Sequence, residues 1–343
     1  MSTPFTLAGV DDKLAANVQS ALSHVESRLI EATTSSDPFI EEVAGHLAKA
    51  GGKRFRPLIA VLASELGAPT PQTVDAAVVV ELTHLATLYH DDVMDEAPRR
   101  RGTESANNRW GNTLAILTGD FLFARASEIL ADLGPDAVRL QAKTFERLVT
   151  GQIHETVGPQ NGEDAVAHHI QVLADKTGSL IATSARFGGM FAGLSLATLD
   201  ALEAFGEAVG LAFQIADDIL DIASAAEISG KTPGTDLREG ILTLPMLLVQ
   251  KASRSEDAEL LELLGRPLSD DADHTRALEL MRAHQALKDA QAVAKKYAED
   301  AIAELHAIRT LAQSDGGFAD SHRVDAVLTT LEGICRSTAD REV

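Results

Sequence analysis

The chain has 343 residues, 45% of them apolar and 24% charged, and its 51 acidic against 30 basic side chains give a formal net charge of −21. That excess of carboxylates opposes binding to nucleic-acid backbones or to anionic lipid, both of which are gripped by Lys and Arg patches. The apolar share suffices for a large core, so disorder throughout is excluded, and the length allows one large domain or two ordinary ones.

In chain order, residues 1–38 read as an N-terminal extension with a first helix, frayed up to about Pro38, and residues 39–343 as one all-α domain. The first residues lack the basic stretch and apolar core of a signal peptide, and no apolar run approaches the ~18–20 residues of a membrane span. Cys335 is the lone cysteine, which excludes an intrachain disulfide and fits a reducing cytoplasm. Apolar residues recur at intervals of three and four, as in Val79, Leu82, Ala86, Tyr89 and Val93, and again in Leu202, Phe205, Val209, Ala212, Ile215, Ile219 and Ile222, which predicts helices. Breakers fall between the runs at 67–71, 98–111, 134–136, 158–164, 230–240 and 267–273. The stretch 160–232 holds no proline, as consecutive long helices require. No alternating pattern long enough for a strand is present.

Two segments carry chemistry on helices. His90-Asp91-Asp92-Val93-Met94-Asp95 closes a helix that Pro98 must end. Asp91 and Asp95, four apart, share a face at about 5–6 Å and sit at the negative end of the helix dipole, so together they call for a cation. Phe213 to Asp221 repeats the Asp-Asp-x-x-Asp spacing with Asp217, Asp218 and Asp221, here inside an apolar helix, where carboxylates must be paired or metal-bound. Two such faces turned towards each other in a bundle make a hard-oxygen site suited to Mg²⁺ and phosphate oxygens.

The basic residues complement them. Gly51-Gly52-Lys53-Arg54-Phe55-Arg56-Pro57 sets glycines beside Lys53 and Arg56, so that backbone can approach an anion which the cations clamp. Arg100, Arg101, Lys176, Thr177 and Lys231 add further phosphate-type donors. One set can serve a metal-bound diphosphate, the other a second diphosphate without metal.

Together GGKRFRP (51–57), HDDVMDEAPRRRG (90–102), KTGSL (176–180), FQIADDILD (213–221) and GKTPGTDLREGILTLP (230–245) resemble, in order and approximate spacing, the motifs of the trans-isoprenyl diphosphate synthase (polyprenyl synthetase) family. The resemblance implies an all-α homodimer whose two acidic helices face each other across a deep cavity. It implies Mg²⁺ ligands at Asp91, Asp95, Asp217 and Asp221, supported by Asp92 and Asp218, with about three ions per site. It also implies an allylic diphosphate held by Arg100, Lys176, Thr177, Gln214 and Lys231, and isopentenyl diphosphate held by Gly52, Lys53, Arg56, His84 and Arg101. The expected reaction is ionisation of the allylic C–O bond, attack by the isopentenyl alkene, and proton loss to the released diphosphate, in a cavity closed to water.

The growing chain is expected to run past the residues one and two turns before Asp91, namely Thr87, Ala86 and Thr83. All are small, so no plug stops growth there, and a product of thirty carbons or more, as in a quinone side chain, is expected. Phe121 and Phe123 are candidates for a deeper plug or for plain core residues. A short-chain geranylgeranyl or farnesyl diphosphate synthase, a terpene cyclase and a silent subunit of a heteromeric synthase are the alternatives. The aspartate motifs, both whole, and GGKRFRP oppose the last two.

Overall fold

The computed structural model describes residues 11–223 and 233–339, and the fold is all-α. In chain order the elements are α1 (Asp12–Ala32), α2 (Pro38–Lys49), α3 (Phe55–Ser64), α4 (Pro71–Met94), a ladder of β1 (Arg99–Arg100) with β2 (Thr103–Glu104), α5 (Ala106–Trp110), α6 (Asn112–Leu133), α7 (Pro135–Val157), α8 (Ala165–Leu173), α9 (Ser179–Phe191) and α10 (Leu196–Ala223). Then follow α11 (Thr235–Glu239), α12 (Leu244–Ala252), α13 (Ala258–Leu263), α14 (Asp271–Ala283), α15 (Gln285–Leu311) and α16 (Ser321–Ala339).

Aspartates start several of these helices. Asp11, Asp37, Asp164 and Asp270 precede α1, α2, α8 and α14, and each side chain accepts from first-turn N–H groups, a cap of about 1 kcal/mol. Pro38 and Pro71 take the first helical position of α2 and α4, where a missing N–H costs nothing.

Contacts divide the chain into two compact units, the first formed by residues up to Thr144 with Leu180–Gly206 and Leu305–Leu331, the second by Phe145–Ser179, Glu207–Glu304 and Glu332 onward. In the first unit α4 packs against α6, α3 and α1. Val79, Leu82, Leu85 and Tyr89 of α4 are buried there with Leu58 and Leu62 of α3, each large aliphatic contributing about 1.5–3 kcal/mol. The N-terminal stretch expected to fray is, from Asp12 onward, a 21-residue helix. Its Val18, Val25 and Leu29 are buried in this unit, and that packing outweighs the fraying expected of a terminus.

In the second unit Leu211, Ile215, Ile219 and Ile222 of α10 form one core with Leu244 and Val249 of α12, Leu260 of α13, Met281 of α14 and Ala290 of α15. Two local features escape the helical reading. A turn of π-helix, Ala174–Gly178, joins α8 to α9, and Arg99 to Glu104 form a tight antiparallel hairpin.

Candidate active site

In the first unit the aspartate segment ends α4 at Met94, and Asp95 caps it with its N–H on the Asp91 carbonyl at 2.8 Å. Asp92 is fully buried, its Oδ1 accepting from Arg100 Nε at 2.6 Å, while its buried Oδ2 has no hydrogen-bond partner among the described residues. Burial pushes the Asp92 carboxyl up, and Arg100 pulls it back down. Arg100 also reaches Asp95 through Nη2 at 3.4 Å. The guanidinium thus neutralises the helix end in the way a bound cation would.

The hairpin splits two adjacent arginines between two tasks. Arg101 and Gly102 both have positive φ (51° and 77°), the signature of a type I′ turn. Arg100 accordingly serves the aspartates, whereas Arg101 donates through Nη1 to the carbonyls of Gly51 (2.5 Å) and Leu47 (3.3 Å) and through Nη2 to Glu81 at 3.2 Å. Gly52 is required by that placement: a Cβ there would lie 2.9 Å from Arg101 Cζ, and its φ is +154°.

Around Arg101 gather the other cations of the GGKRFRP segment. Arg54, which sequence reasoning passed over, donates to Glu81 at 2.8 Å and holds Glu26 of α1 by two 2.8 Å bonds. Arg56 is half-buried, and its Nε is buried without a hydrogen bond among the described residues. Burial and the neighbouring Arg101 push the Arg56 guanidinium down to about 10, against the pull of Glu81, so it remains charged near neutrality. His84, half-buried on α4, is held well below the ordinary histidine value by burial and then by Arg56, Arg101, Arg54 and Arg100. A neutral imidazole offers one donor and one acceptor. A cleft of about 630 Å³ opens here, lined by Gln19, Leu22, Ser23 and Glu26 of α1 and by Gly52 and Lys53. A charged guanidinium with a buried nitrogen still to be hydrogen-bonded is suited to receive an oxyanion.

Glu26 and Glu81 went unread in the sequence, although Glu81 interrupts the apolar run Val78-Val79-Val80-Glu81-Leu82, and a lone acid in such a run signals a buried pairing.

The second unit holds the other motif. Asp218 is buried. Its Oδ1 accepts from Gln214 at 3.0 Å, and its Oδ2 faces His169 Nε2 at 3.7 Å, beyond hydrogen-bond reach, so neither of these two atoms has a hydrogen bond among the described residues. Burial pushes its carboxyl up, eased by His169 and Gln214. Asp221, expected as a metal ligand, accepts from the N–H groups of Thr235 and Asp236, each at 3.2 Å. Thr177 donates to Gln214 at 3.3 Å, while Lys176 is ion-paired with Glu155. Both belong to the π-helical turn, a feature often found at functional sites. Asp175 of the same turn is pinned by Arg147 at 2.8 Å, which also binds Glu207 at 2.9 Å. Lys231 lies outside the described residues.

Among the described residues no three His, Cys, Asp or Glu side chains gather into a ready metal cage. Buried carboxylate oxygens without partners at Asp92 and Asp218 nonetheless fit a divalent ion. Mg²⁺ in particular takes one or two carboxylates and completes its shell with water and substrate phosphates.

Of the expected tunnel positions, Thr83 and Ala86 have no accessible surface and Thr87 is half-buried. The Thr83 hydroxyl accepts from buried Gln141 of α7 at 2.8 Å. On α6, the Phe123 ring sits 5.8 Å from the ring of His90, the residue before Asp91.

Comparison with known proteins agrees with this arrangement. The Polyprenyl synthetase family model matches residues 37–281. The nonaprenyl diphosphate synthase of Mycobacterium tuberculosis is 47% identical over 312 residues, 89% of this chain and 93% of that protein. The crystal structure of geranylgeranyl pyrophosphate synthase from Corynebacterium glutamicum, complexed with calcium and isoprenyl diphosphate, superposes with a TM-score of 0.82 at 43% identity, covering 96% of this chain and 98% of that one. A polyprenyl synthase from Caulobacter crescentus CB15, likewise complexed with calcium and isoprenyl diphosphate, gives 0.85 at 33% identity, covering 99% and 100%. Fold, carboxylate helices and guanidinium cleft together define a helical prenyltransferase. The chain belongs to the polyprenyl synthetase family.

Proposed function

We propose that the protein elongates an allylic diphosphate with isopentenyl diphosphate to an all-trans polyprenyl diphosphate of thirty carbons or more. The observation that carries the reading is the cation cluster of the first unit, where Arg54 and Arg101 share the buried Glu81 carboxylate and Arg56 Nε is buried without a hydrogen bond among the described residues. Lys53, Arg56, Arg101 and neutral His84 hold the isopentenyl diphosphate, with Gly52 giving it backbone access. Arg100, Lys176, Thr177, Gln214 and Lys231 hold the allylic diphosphate. Asp91, Asp95, Asp217 and Asp221 would hold Mg²⁺, with Asp92 and Asp218 behind them, and the metal would supply Lewis-acid stabilisation of the departing diphosphate.

The chain's own contributions follow from its geometry. Arg100 leaves Asp92 and Asp95 for phosphate oxygens, and Lys176 leaves Glu155, so each cation is near at hand when the C–O bond ionises. Apolar α4 and α6 exclude water from the cation. The released diphosphate takes the proton, since the carboxylates are engaged elsewhere.

The small side chains of Thr83, Ala86 and Thr87 and the nonaprenyl diphosphate synthase relative both support a long product. Growth past Thr83 displaces the Gln141 side chain. Exposed Val149, Ile153 and Val157 recur every four residues along α7, an exposed apolar stripe that supports a homodimer. No described helix is long and apolar enough to cross a membrane, and the buried thiol of Cys335 suits a reducing, cytoplasmic setting.

The test is incubation with Mg²⁺, labelled isopentenyl diphosphate and, separately, geranyl, farnesyl or geranylgeranyl diphosphate, followed by sizing of the dephosphorylated products. A ladder ending at thirty carbons or beyond is expected. A stop at fifteen or twenty overturns the chain-length reading, and no incorporation overturns the reaction.

A further inference from the structure

We propose that Glu81 is a positioning residue for isopentenyl diphosphate, its buried carboxylate fixing Arg54 and Arg101 so that the remaining donors of Arg101 and those of Arg56 converge on one diphosphate. This rests on the isopentenyl reading of the cleft and extends it to a residue that touches no substrate. Glu81 is 1% exposed, and a single oxygen, Oε1, receives Arg54 Nη1 at 2.8 Å and Arg101 Nη2 at 3.2 Å. Arg54 is locked further by both oxygens of Glu26 and by the Ala48 carbonyl at 2.9 Å. It sits at φ +48° immediately before α3, so the bend that presents Lys53 and Arg56 is tied to the same carboxylates.

Arg101 spends its Nη1 on two carbonyls and one Nη2 hydrogen on Glu81. Of its five donors, Nε–H and the second Nη2–H remain for an anion. Burial first, and mutual repulsion after it, push the Arg56 and Arg101 guanidiniums down, so holding them together without substrate has a cost. A buried carboxylate shared between two of them offsets that repulsion and fixes their planes.

Two effects of removing the Glu81 charge oppose each other. A more positive pocket attracts a diphosphate more strongly, whereas freed guanidiniums lose their aim, and misplacement by about 1 Å costs on the order of 10²-fold. The proposal commits to loss of aim.

The experiment is steady-state kinetics of Glu81→Gln, Glu26→Gln and Arg56→Ala in the full-length enzyme, with KM for isopentenyl diphosphate and for the allylic substrate measured separately and folding followed by circular dichroism. Glu81→Gln should raise the isopentenyl KM about tenfold or more, with the allylic KM within about twofold; Glu81→Asp should recover part of the loss. An isopentenyl KM that is unchanged or lower, or an equal rise in both KM values, overturns the proposal. Should Glu81→Gln fail to fold, Glu26→Gln, whose side chain is partly exposed, carries the test: a rise of about threefold supports the proposal, and no rise overturns it. If Arg56→Ala leaves the isopentenyl KM untouched, the reading of the cleft itself fails and the proposal falls with it. A rise with Arg56→Ala but with neither glutamate variant refutes the positioning role alone.

Discussion

Lowering the pH should destabilise the protein through His84, and replacing His84 by Gln should remove that part of the loss. Burial and four arginines keep its imidazole neutral well below 6.5. In the unfolded chain the same ring takes up a proton near pH 6.5. Below that pH the unfolded state therefore binds more protons than the folded one, and stability falls as pH drops until the folded-state value is reached. Each pH unit in this window is worth at most about 1.4 kcal/mol for one proton. Between pH 6.5 and 5.0 the ceiling is thus about 2 kcal/mol, a large share of a stability of about 5–15 kcal/mol. Urea unfolding midpoints of the wild type and of His84→Gln at pH 7, 6 and 5 isolate the contribution, because every other titrating group is common to both chains. The wild type should lose about 1–2 kcal/mol more than the variant on going from pH 7 to 5. Parallel curves would refute the claim that burial and the guanidinium cluster hold this ring neutral.

Four further outcomes are expected. Gly52→Ala should raise the isopentenyl KM by about tenfold or more, since the new methyl meets Arg101 Cζ at 2.9 Å and displaces a guanidinium already tied to Glu81 and two carbonyls; kinetics with each substrate varied in turn will show it. Asp91→Ala and Asp217→Ala should each cut kcat by about 10²-fold or more with an unchanged helical circular dichroism spectrum, and full activity in either would remove that residue from metal binding. Thr87→Phe should shorten the product on reverse-phase chromatography, because Thr87 keeps accessible surface, whereas fully enclosed Ala86 should also cost stability by overpacking, about 1–3 kcal/mol, as Phe. Val149→Asp with Ile153→Asp should halve the mass seen by light scattering, with helicity retained, if the α7 stripe joins two copies.

Much of the fold could be read in advance because burial writes itself into a helical sequence every three or four residues. The seven apolar positions from Leu202 to Ile222 are all buried along α10, as their period requires. The aspartate repeats were equally plain, since like charges four apart on a helix are costly without a purpose. What escaped were features generated by register and not by composition. The π-helical turn at Ala174–Gly178 adds one residue per hydrogen bond without any characteristic residue to announce it. The hairpin at Arg99–Glu104 is two residues per strand, too short for a period of two to appear.

The pairing of arginines with carboxylates was hidden for a different reason. In a chain with 51 acidic side chains, the choice of partner depends on which helices meet, and Glu26 reaches Arg54 only because α1 packs on α3. The consecutive arginines 100 and 101 make the point sharpest. They are chemically identical neighbours, yet a turn with two positive φ angles sends one to Asp92 and Asp95 and the other to Glu81 and the Gly51 carbonyl. An extended strand would also separate neighbouring side chains, but only the reversal at Arg101-Gly102 returns the backbone so that both guanidiniums stay beside α4. Gly102 permits that reversal at no steric cost, while Arg101 accepts a left-handed conformation that ordinary residues avoid, and its three hydrogen bonds offset the strain. On the proposed reading, the Arg-Arg-Gly tripeptide thereby offers one cation to each of two diphosphates.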